Sequence, residues 1–231
     1  MPVNEFGQPV GEPVLWTPGP PLAGVVLTGR TCRVEPLGDA HVDGLYATVC
    51  VESPPENWTY MPAGPFQERE TFAAYLARLH AMPATVPVAI LLPDRTSVGV
   101  ATWMRIDHAI GTAEVGNISY SAALQRTTAA TEAMYLMAAH AFEVVGVRRY
   151  EWKCDSLNAP SRRAAARLGF TFEGVFRKAG VYKGRSRDTA WFAITDEEWP
   201  GIKAAFVRWL DPANFDVNDQ QRTRLNTEEH A

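Results

Sequence analysis

Hydrophobic residues recur with a helical period in two long segments of the chain. In QERETFAAYLARLHAM the apolar side chains fall on one helical face, at Phe72, Tyr75, Leu76 and Leu79. A longer helix is predicted from about 129 to 145, and we expect Gly146 to end it because glycine readily adopts the left-handed conformation of helix C-termini. Shorter helices are predicted in DAHVDGLYATVCV, with Asp39 as the N-cap, and in NAPSRRAAARL, which Gly169 ends.

Segments rich in apolar and β-branched residues predict strands around these helices. They are VVLTGRTCRVEPL as a strand pair or one bent strand, then VPVAILL, SVGVATWMRI, EVGNISYSA, RRYEWKC, FTFEGVF and DTAWFAI. A final helix is predicted after Thr195, because the spacing from Thr195 to Glu198 is that of a capping box. Strands interspersed with helices in this way indicate an α/β class with a mixed sheet.

The two ends of the chain lack this regular pattern. Residues 1–24 are rich in proline and glycine and predict an irregular lead-in that wraps the domain. Residues 25–210 carry all the predicted elements and form one domain, which suits a chain of 231 residues. Residues 211–231 are polar, so we expect a loosely ordered tail.

Composition and charge disfavour several classes of protein. The chain is 46% hydrophobic, as in ordinary globular proteins, and its formal net charge of −4 argues against nucleic acid or an anionic membrane as a partner. No apolar run is long enough to span a membrane, and the first residues lack the pattern of a secretory signal, so a cytoplasmic location is expected. Cys32, Cys50 and Cys154 are widely spaced and odd in number, which predicts structural thiols rather than disulfides or a zinc site.

The segment LQRTTAATEA, residues 124–133, connects a predicted strand to the long helix. A helix N-terminus binds anions through its unpaired N–H groups and partial positive charge, and Arg126 would add a cation. However, the segment has no glycine, which phosphate loops usually use, and Thr128 can simply cap the helix. The segment alone is therefore compatible with a phosphate-binding loop and with an ordinary capped helix.

A second segment, KCDSLNAPSRRAAARLGF, places Asn158 after a strand and Ser161 in the first turn of a helix. Together with EVGNISYS, ATEAM and RDTAWFAI, in this order and spacing, it resembles the GNAT family of acetyl-CoA-dependent N-acetyltransferases. The resemblance is closest to the RimJ/RimL type, which acetylates the N-termini of ribosomal proteins, and covers about 25–194. It implies a GNAT fold, in which helices flank a mixed, mostly antiparallel central sheet whose strands splay at the acetyl-CoA site.

The resemblance also implies acetyl-CoA as the cosubstrate, with no metal. The loop pattern of the family, Gln/Arg-x-x-Gly-x-Gly/Ala, falls on Gln125, Thr128 and Ala130, with Thr128 replacing the first glycine. The backbone amides that would hold the pyrophosphate are those of Arg126, Thr127, Thr128, Ala129 and Ala130. Backbone groups for the acetyl carbonyl and the pantetheine arm would come from Ile118, Ser119 and Tyr120. Asn158 would contact CoA, the alternative being a plain N-cap.

Acetyl transfer to an amine needs a base for the ammonium and an acid for the leaving thiolate. Glu114 lies on the strand where some family members carry their base, and its alternative is a solvated carboxylate at a strand edge. Many family members use a tyrosine as the acid, but the matching position is Ala165. Ser161, shared with the ribosomal-protein branch, is the better acid candidate, or else a second capping hydroxyl. That branch also has a glutamate where this chain has Gly180.

The acceptor site is expected between two loops. Trp58 and Tyr60, in the NWTYMP segment, lie where the family closes over the acceptor, and two aromatic side chains can enclose a substrate there. Tyr182 and Asp188 bracket the opposite wall. Asp188 would bind the acceptor amine or, alternatively, pair with a neighbouring arginine.

Two functions follow from these features. The leading hypothesis is transfer of an acetyl group to a primary amine, on a protein or peptide N-terminus or on a small molecule, by a monomer or a homodimer. The alternative is a sensor module that binds acyl-CoA without turnover, which the missing tyrosine and glutamate suggest. Release of CoA thiol in the presence of amines separates the two.

Overall fold

One open sheet of eight strands forms the centre of the computed structural model, which describes residues 1–22 and 24–227. The strands are β1 (Leu27–Thr28), β2 (Arg33–Pro36), β3 (Val86–Leu91), β4 (Ser97–Asp107), β5 (Thr112–Tyr120), β6 (Arg149–Asp155), β7 (Thr171–Tyr182) and β8 (Arg185–Thr195). Their order is β1-β2-β3-β4-β5-β6-β8-β7, and each neighbouring pair is antiparallel except β5–β6. The predicted α/β class with a mixed, mostly antiparallel sheet is confirmed.

Helices flank this sheet. They are α1 (Val42–Leu45), extended by a π-helical segment at Tyr46–Val51; α2 (Arg69–Ala81); α3 (Thr128–Ala139), extended by a π-helical segment at His140–Val145; α4 (Ala159–Arg167); and α5 (Trp199–Leu210). Short 3₁₀ turns lie at Asp39–His41, Pro55–Trp58 and Pro212–Asn214. Gly146 ends the segment after α3 with a φ of 69°, as predicted. None of the described helices combines the length and the apolar character needed to cross a membrane.

Two helix starts differ from the sequence prediction. The N-cap of the first 3₁₀ turn is Gly38 rather than Asp39, because the N–H of Gly38 donates to Nδ1 of His41 (3.0 Å) and Asp39 is already helical. The expected capping-box contact near the last helix does form, since the N–H of Thr195 donates to Oε2 of Glu198 (2.7 Å). However, α5 starts only after Glu198, which is itself the N-cap, so this contact fixes the end of β8 rather than the first helical turn.

Two hydrophobic cores lie on opposite faces of the sheet. Alternate residues of a strand point to opposite faces, so Val88 belongs to one core and Ala89 to the other. The larger core packs α3, α4 and α5 against the sheet around Tyr150. The smaller core packs α1 and α2 against β3 and β4 around Trp58 and Phe72. Among the described residues, the smaller core includes no side chain from β5 to β8, so that half of the face is available for a cavity.

Both ends of the described chain pack on the domain. Nε1 of Trp16 donates to the carbonyl oxygen of Gly146 (2.6 Å), which anchors the lead-in at the end of the helix. Phe215 and Leu225 are each 8% exposed and join the larger core, so the expectation of a loosely ordered tail is wrong for residues up to 227. These apolar contacts anchor the segment together with Asn214, whose Nδ2 donates to the carbonyl oxygen of Trp209 (2.9 Å) and whose Oδ1 accepts the N–H of Thr223 (2.9 Å). The rest of the tail, 228–231, lies outside the described residues, and the domain boundaries at 24 and 210 stay predictions.

Candidate active site

The site begins where two parallel strands part. β5 and β6 pair only as far as Val115 and Trp152, and the described strands are not paired beyond that point. A bulge in β5, with Asn117 at a φ of 48°, shifts the register against β4. The backbone of Gly116–Tyr120 is therefore unpaired on its β6 side, and a cavity of about 1700 Å³ opens there.

Most residues that the sequence singles out line this cavity. They are Trp58, Tyr60, Glu114, Ile118, Ser119, Tyr120, Gln125, Arg126, Thr127, Thr128, Ala129, Ala130, Asn158, Ser161 and Tyr182. Asp188 is not among the described lining residues. Its Oδ1 accepts the N–H of Lys178 (2.7 Å), which has a φ of 51° where β7 bulges. Asp188 thus helps to hold the bulge, and its contact with the acceptor amine stays a prediction.

The loop before α3 is a helix N-terminus preceded by one left-handed residue. That residue is Arg126, with a φ of 63°. The N-cap is Thr127 rather than Thr128, because Thr127 has an extended backbone and its Oγ1 accepts the N–H of Ala130 (3.2 Å). The N–H groups of Thr128 and Ala129, the first two helical residues, have no intrahelical partner and are free to bind an anion.

Arginine side chains bring positive charge to the lining of the cavity. They include Arg30, Arg126, Arg163 and Arg167. Nη1 of Arg167 donates to Oγ1 of Thr131 on α3 (3.0 Å), and its guanidinium lies 5.2 Å from the ring centre of Trp209. Sequence reasoning identified only Arg126, because the other three are distant in the chain and no local pattern connects them to the loop. Together with the free amides of α3, these cations fit a ligand that carries phosphates.

A buried carboxylate ties α3 to the turn between β1 and β2. Oε1 of Glu132 accepts the N–H of Arg30 (2.8 Å), and its Oε2 accepts the N–H and the hydroxyl of Thr31 (both 2.6 Å). The N–H of Cys32 donates to the same Oε2 (3.2 Å). Burial and the nearby carboxylate raise the pKa of the Cys32 thiol, so it stays neutral. One helix therefore carries both the anion-binding amides and the anchor of the neighbouring turn.

Ser161 and Asn158 lie at the start of α4, beside the splay. Oδ1 of Asn158 accepts the N–H of Ser161 (3.1 Å), so Asn158 is the helix cap, as its alternative interpretation had it. Oγ of Ser161 accepts Nε1–H of Trp152 (3.0 Å). Because an indole only donates, this contact leaves the hydroxyl hydrogen of Ser161 free to donate, either to the Cys154 thiol beside it or to a ligand in the cavity. Burial raises the pKa of the adjacent Cys154 thiol, and all three cysteines are free.

Glu114 lies on β5 just before the splay and is only 5% exposed. Its Oε2 is 2.8 Å from Nζ of Lys153 and 3.1 Å from Nε of Arg105, in ion pairs that lack hydrogen-bond alignment. Burial raises the pKa of Glu114 above its usual range, although Lys153 acts in the opposite direction. The interpretation of Glu114 as a solvated strand-edge carboxylate is therefore wrong. The carboxylate can exchange a proton nearer to neutral pH than an exposed glutamate can.

One wall of the acceptor side comes from the loop before α2. Trp58 is 2% exposed and meets Phe66 edge-on at 5.0 Å, so it belongs to the smaller core and only borders the cavity. Its carbonyl oxygen accepts Nζ–H of Lys183 (2.6 Å), which joins this loop to the turn between β7 and β8. Tyr60 is half-buried, and Nδ2 of Asn57 is buried without a partner among the described residues. Both line the cavity, so Asn57 offers an unused donor to a ligand.

The opposite wall is formed by the ends of β6 and β7. The hydroxyl of Tyr182 donates to Oδ2 of Asp155 (2.7 Å), and burial together with this carboxylate raises the pKa of Tyr182 to about 12. Gly180 also lines the cavity, and a Cβ added there would meet no atom within 4 Å. Ala165 is fully buried in the larger core. The wall thus has room at Gly180, where the resemblance to the ribosomal-protein branch implies a glutamate, and Ala165 offers no acid in place of the tyrosine that the resemblance implies.

Comparisons with known proteins match this arrangement. The family model described as Acetyltransferase (GNAT) domain matches residues 32–171. A crystal structure of a GCN5-related N-acetyltransferase from Brucella melitensis is 41% identical, with 91% of this chain and 96% of that chain covered and a TM-score of 0.87. A probable GNAT-family acetyltransferase from Chromobacterium violaceum is 34% identical, with 83% and 98% covered and a TM-score of 0.78.

A third similar structure is the RimJ protein of Mycobacterium smegmatis in complex with CoA-disulfide. It is 22% identical, with 80% of this chain and 92% of that chain covered and a TM-score of 0.65, so the likeness shows the fold alone. A comparison with curated proteins gives no significant match. In the described residues no group of three or more His, Cys, Asp or Glu side chains is arranged to hold a metal.

Proposed function

Because the chain belongs to the GNAT acetyltransferase family and is therefore an acyltransferase that uses acetyl-CoA, we propose that it transfers the acetyl group directly to a primary amine. The observation that carries this proposal is the splay of β5 from β6. It opens between a helix N-terminus suited to phosphates and Glu114, a buried carboxylate whose pKa is raised. An amine acceptor needs such a base because its ammonium form has no lone pair for attack.

On this proposal the loop before α3 holds the CoA pyrophosphate. The N–H groups of Thr128 and Ala129 would bind the phosphate oxygens, and Arg126 would add charge from the rim. The missing glycine is compatible with this role, because the left-handed position of the loop falls on Arg126, while Thr128 is helical. The unpaired backbone of Ile118, Ser119 and Tyr120 would then border the thioester arm, as the splay allows.

Glu114 is the proposed base. It would take the proton of the acceptor ammonium directly or through a water, and its burial supports this role because it brings the pKa closer to neutral. The reaction rate should then rise with pH through the pKa of Glu114, since only the carboxylate form accepts a proton. Ser161 is the proposed donor to the leaving thiolate, because the hydrogen bond from Trp152 leaves its own proton available.

The proposed acceptor is a small-molecule amine or a protein N-terminus. Support for a protein N-terminus comes from two features. The open space at Gly180 leaves room for a polypeptide backbone between the two walls, and the unused donor of Asn57 offers it a hydrogen bond. The distant likeness to RimJ agrees with the same branch of the family, although it establishes the fold alone. Tyr60 and Tyr182 would line the acceptor from opposite sides.

A second candidate function is an acyl-CoA sensor without turnover. Ala165 and Gly180 favour it, because they stand where related proteins have a tyrosine and a glutamate. The test is release of CoA thiol from acetyl-CoA with a panel of small amines and of peptides with free N-termini. We expect release with at least one acceptor. Binding of CoA without release for every acceptor would favour the sensor, and absence of binding would contradict the proposed CoA site.

A further inference from the structure

A buried lysine lies beside the proposed base, and no sequence motif indicates it. The side chain of Lys153, on β6, is 7% exposed. Its Nζ lies 2.8 Å from Oε2 of Glu114, 2.6 Å from Oε2 of Glu151 and 3.8 Å from the ring centre of Trp191. Burial of an ammonium is unfavourable unless anions and a π-face compensate for the lost water, and here all three partners do so. The position of Lys153 is therefore fixed on three sides.

The second carboxylate of this cluster is held by its own cations. Nε of Arg149 lies 2.7 Å from Oε1 of Glu151, and Nη2 of the same guanidinium pairs with Glu173 on β7 (2.5 Å). The charged side chains therefore form a row across the open face, from Arg105 on β4 to Glu173 on β7. Since Glu151 is bound by both Arg149 and Lys153, it keeps Lys153 in place whether or not Glu114 carries a proton.

The pKa values of the two carboxylates that share Lys153 are shifted in opposite directions. Burial would raise the pKa of Glu151, but hydrogen bonds from Arg149 and Lys153 lower it below its usual range. Burial raises the pKa of Glu114, with Lys153 acting against it. Two neighbouring titratable groups with pKa values pushed apart are typical of a division of roles, in which one is a fixed charge and the other exchanges protons.

We propose that Lys153 is a positioning residue, which Glu151 holds against Glu114 so that the carboxylate stays at the splay in its proton-accepting form. The proposal rests on the proposed function, in which Glu114 is the base. The proton moves from the acceptor nitrogen to a Glu114 oxygen as the N–H bond breaks and an O–H bond forms, and Lys153 exchanges no proton. The groups that face Glu114 are Arg105 from β4 and Lys153 and Glu151 from β6, with the neutral Trp191 over Lys153 from β8.

Arg105 is a weaker influence on Glu114 than Lys153 is. Its side chain is 63% exposed, so water screens its charge, whereas Lys153 is shielded from solvent. The alternative is that Lys153 contributes packing alone, with no net electrostatic effect on Glu114. The two roles separate in the pH dependence, because a packing role would change the amount of folded protein but would leave the titration of Glu114 where it is.

The experiment compares Lys153→Met with Lys203→Met, a matched change in an exposed ion pair with Glu143 far from the cavity. In Lys153→Met we expect the rising limb of the kcat–pH profile to move to higher pH by about one unit or more, the usual effect of losing an adjacent opposite charge. Lys203→Met should keep the wild-type profile. The double variant Glu114→Gln/Lys153→Met should be no slower than Glu114→Gln, because Lys153 acts through Glu114.

A second readout does not depend on activity. Protein labelled with ¹³C at the glutamate carboxyl carbons gives one signal that Glu114→Gln removes, and this signal reports the titration of Glu114. We expect its midpoint to rise in Lys153→Met, and in Lys153→Gln if the methionine variant does not fold. An unchanged midpoint overturns the proposal for Lys153. If the wild type releases no thiol with any acceptor, the proposed function fails, whereas the carboxyl titration still decides the role of Lys153.

Discussion

The two ends of the cavity differ in the kind of charge that they present to a ligand. At the α3 end, the backbone N–H groups of Thr128 and Ala129 and a surrounding set of arginines provide positive potential. At the β5–β6 splay, Glu114 and Lys153 are buried and depend on individual ion pairs. Backbone amides tolerate changes of side chain, so on the proposed function this end would keep its anion-binding groups without the family glycine. A buried charge cluster does not, because removing one partner leaves the other charge uncompensated.

Glu114→Gln should have the largest effect and tests the splay end directly. The change keeps the shape but removes the base, so we expect kcat to fall by about 10²- to 10⁴-fold, the usual contribution of a general base. The limb of the kcat–pH profile that rises from low pH should disappear. Steady-state rates across pH provide the measurement, with Glu143→Gln in the exposed ion pair as the control. A variant with the rate and profile of the wild type would make Glu114 structural.

Ser161→Ala should have the next largest effect. We expect kcat to fall by about tenfold to a thousandfold with little change in CoA affinity, because the hydroxyl acts on the leaving thiolate. The cap of α4 is kept, since it uses Oδ1 of Asn158 and the backbone N–H of Ser161. Trp152→Phe is the control, because it removes the indole donor and keeps the hydroxyl. Equal kcat in Ser161→Ala and the wild type would limit Ser161 to its contact with Trp152.

Arg126→Glu tests the α3 end and should have a smaller effect. Arg126 is exposed, so replacing its charge should weaken CoA binding by about tenfold, mainly through repulsion of the phosphates. The increase in melting temperature on adding CoA should shrink accordingly, because that increase follows the affinity for the native state. The increase for Arg126→Ala should lie between those for Arg126→Glu and the wild type. An identical increase in all three proteins would remove Arg126 from the CoA site.

Thr127→Ala should have the smallest effect and concerns the helix itself. Loss of the cap to Ala130 should lower the free energy of unfolding by about 1 kcal/mol, as for other N-cap threonines. Thr128→Ala is the matched control and should change it by less than about 0.5 kcal/mol. Urea unfolding of both variants measures this difference. A larger loss in Thr128→Ala than in Thr127→Ala would mean that Thr128 is the N-cap, as the sequence indicated.

The sequence predicts those features of this fold that depend on local pattern. The strands, α2, the end of the helix at Gly146 and the Asn158–Ser161 start of α4 all follow from periodicity and capping chemistry. Cap positions are less certain, because the choice between Thr127 and Thr128 depends on backbone angles that neighbouring threonines do not reveal. The family resemblance added a predicted location for the acetyl-CoA site, which local pattern leaves open.

Contacts between strands that are far apart in the sequence cannot be predicted from local sequence pattern. Lys153 meets Glu114 because β5 and β6 pair in parallel with Glu114 opposite Glu151, a register that no local pattern specifies. Asp188 is a second example, because a bulge in β7 brings the N–H of Lys178 to its carboxylate, a contact that its place in the sequence does not indicate. In both cases the sheet register decides which groups meet.

The carboxylate of Glu132 couples anion binding at the start of α3 to the stability of the turn between β1 and β2. It holds the amide hydrogens of Arg30, Thr31 and Cys32 from within the first turns of the helix that presents Thr128 and Ala129 to the cavity. An anion that stabilises the helix start makes local opening of that anchor rarer, and amide hydrogens exchange with solvent only during such opening. We expect these three amides to exchange more slowly once CoA is bound. They would act as an internal reporter of occupancy.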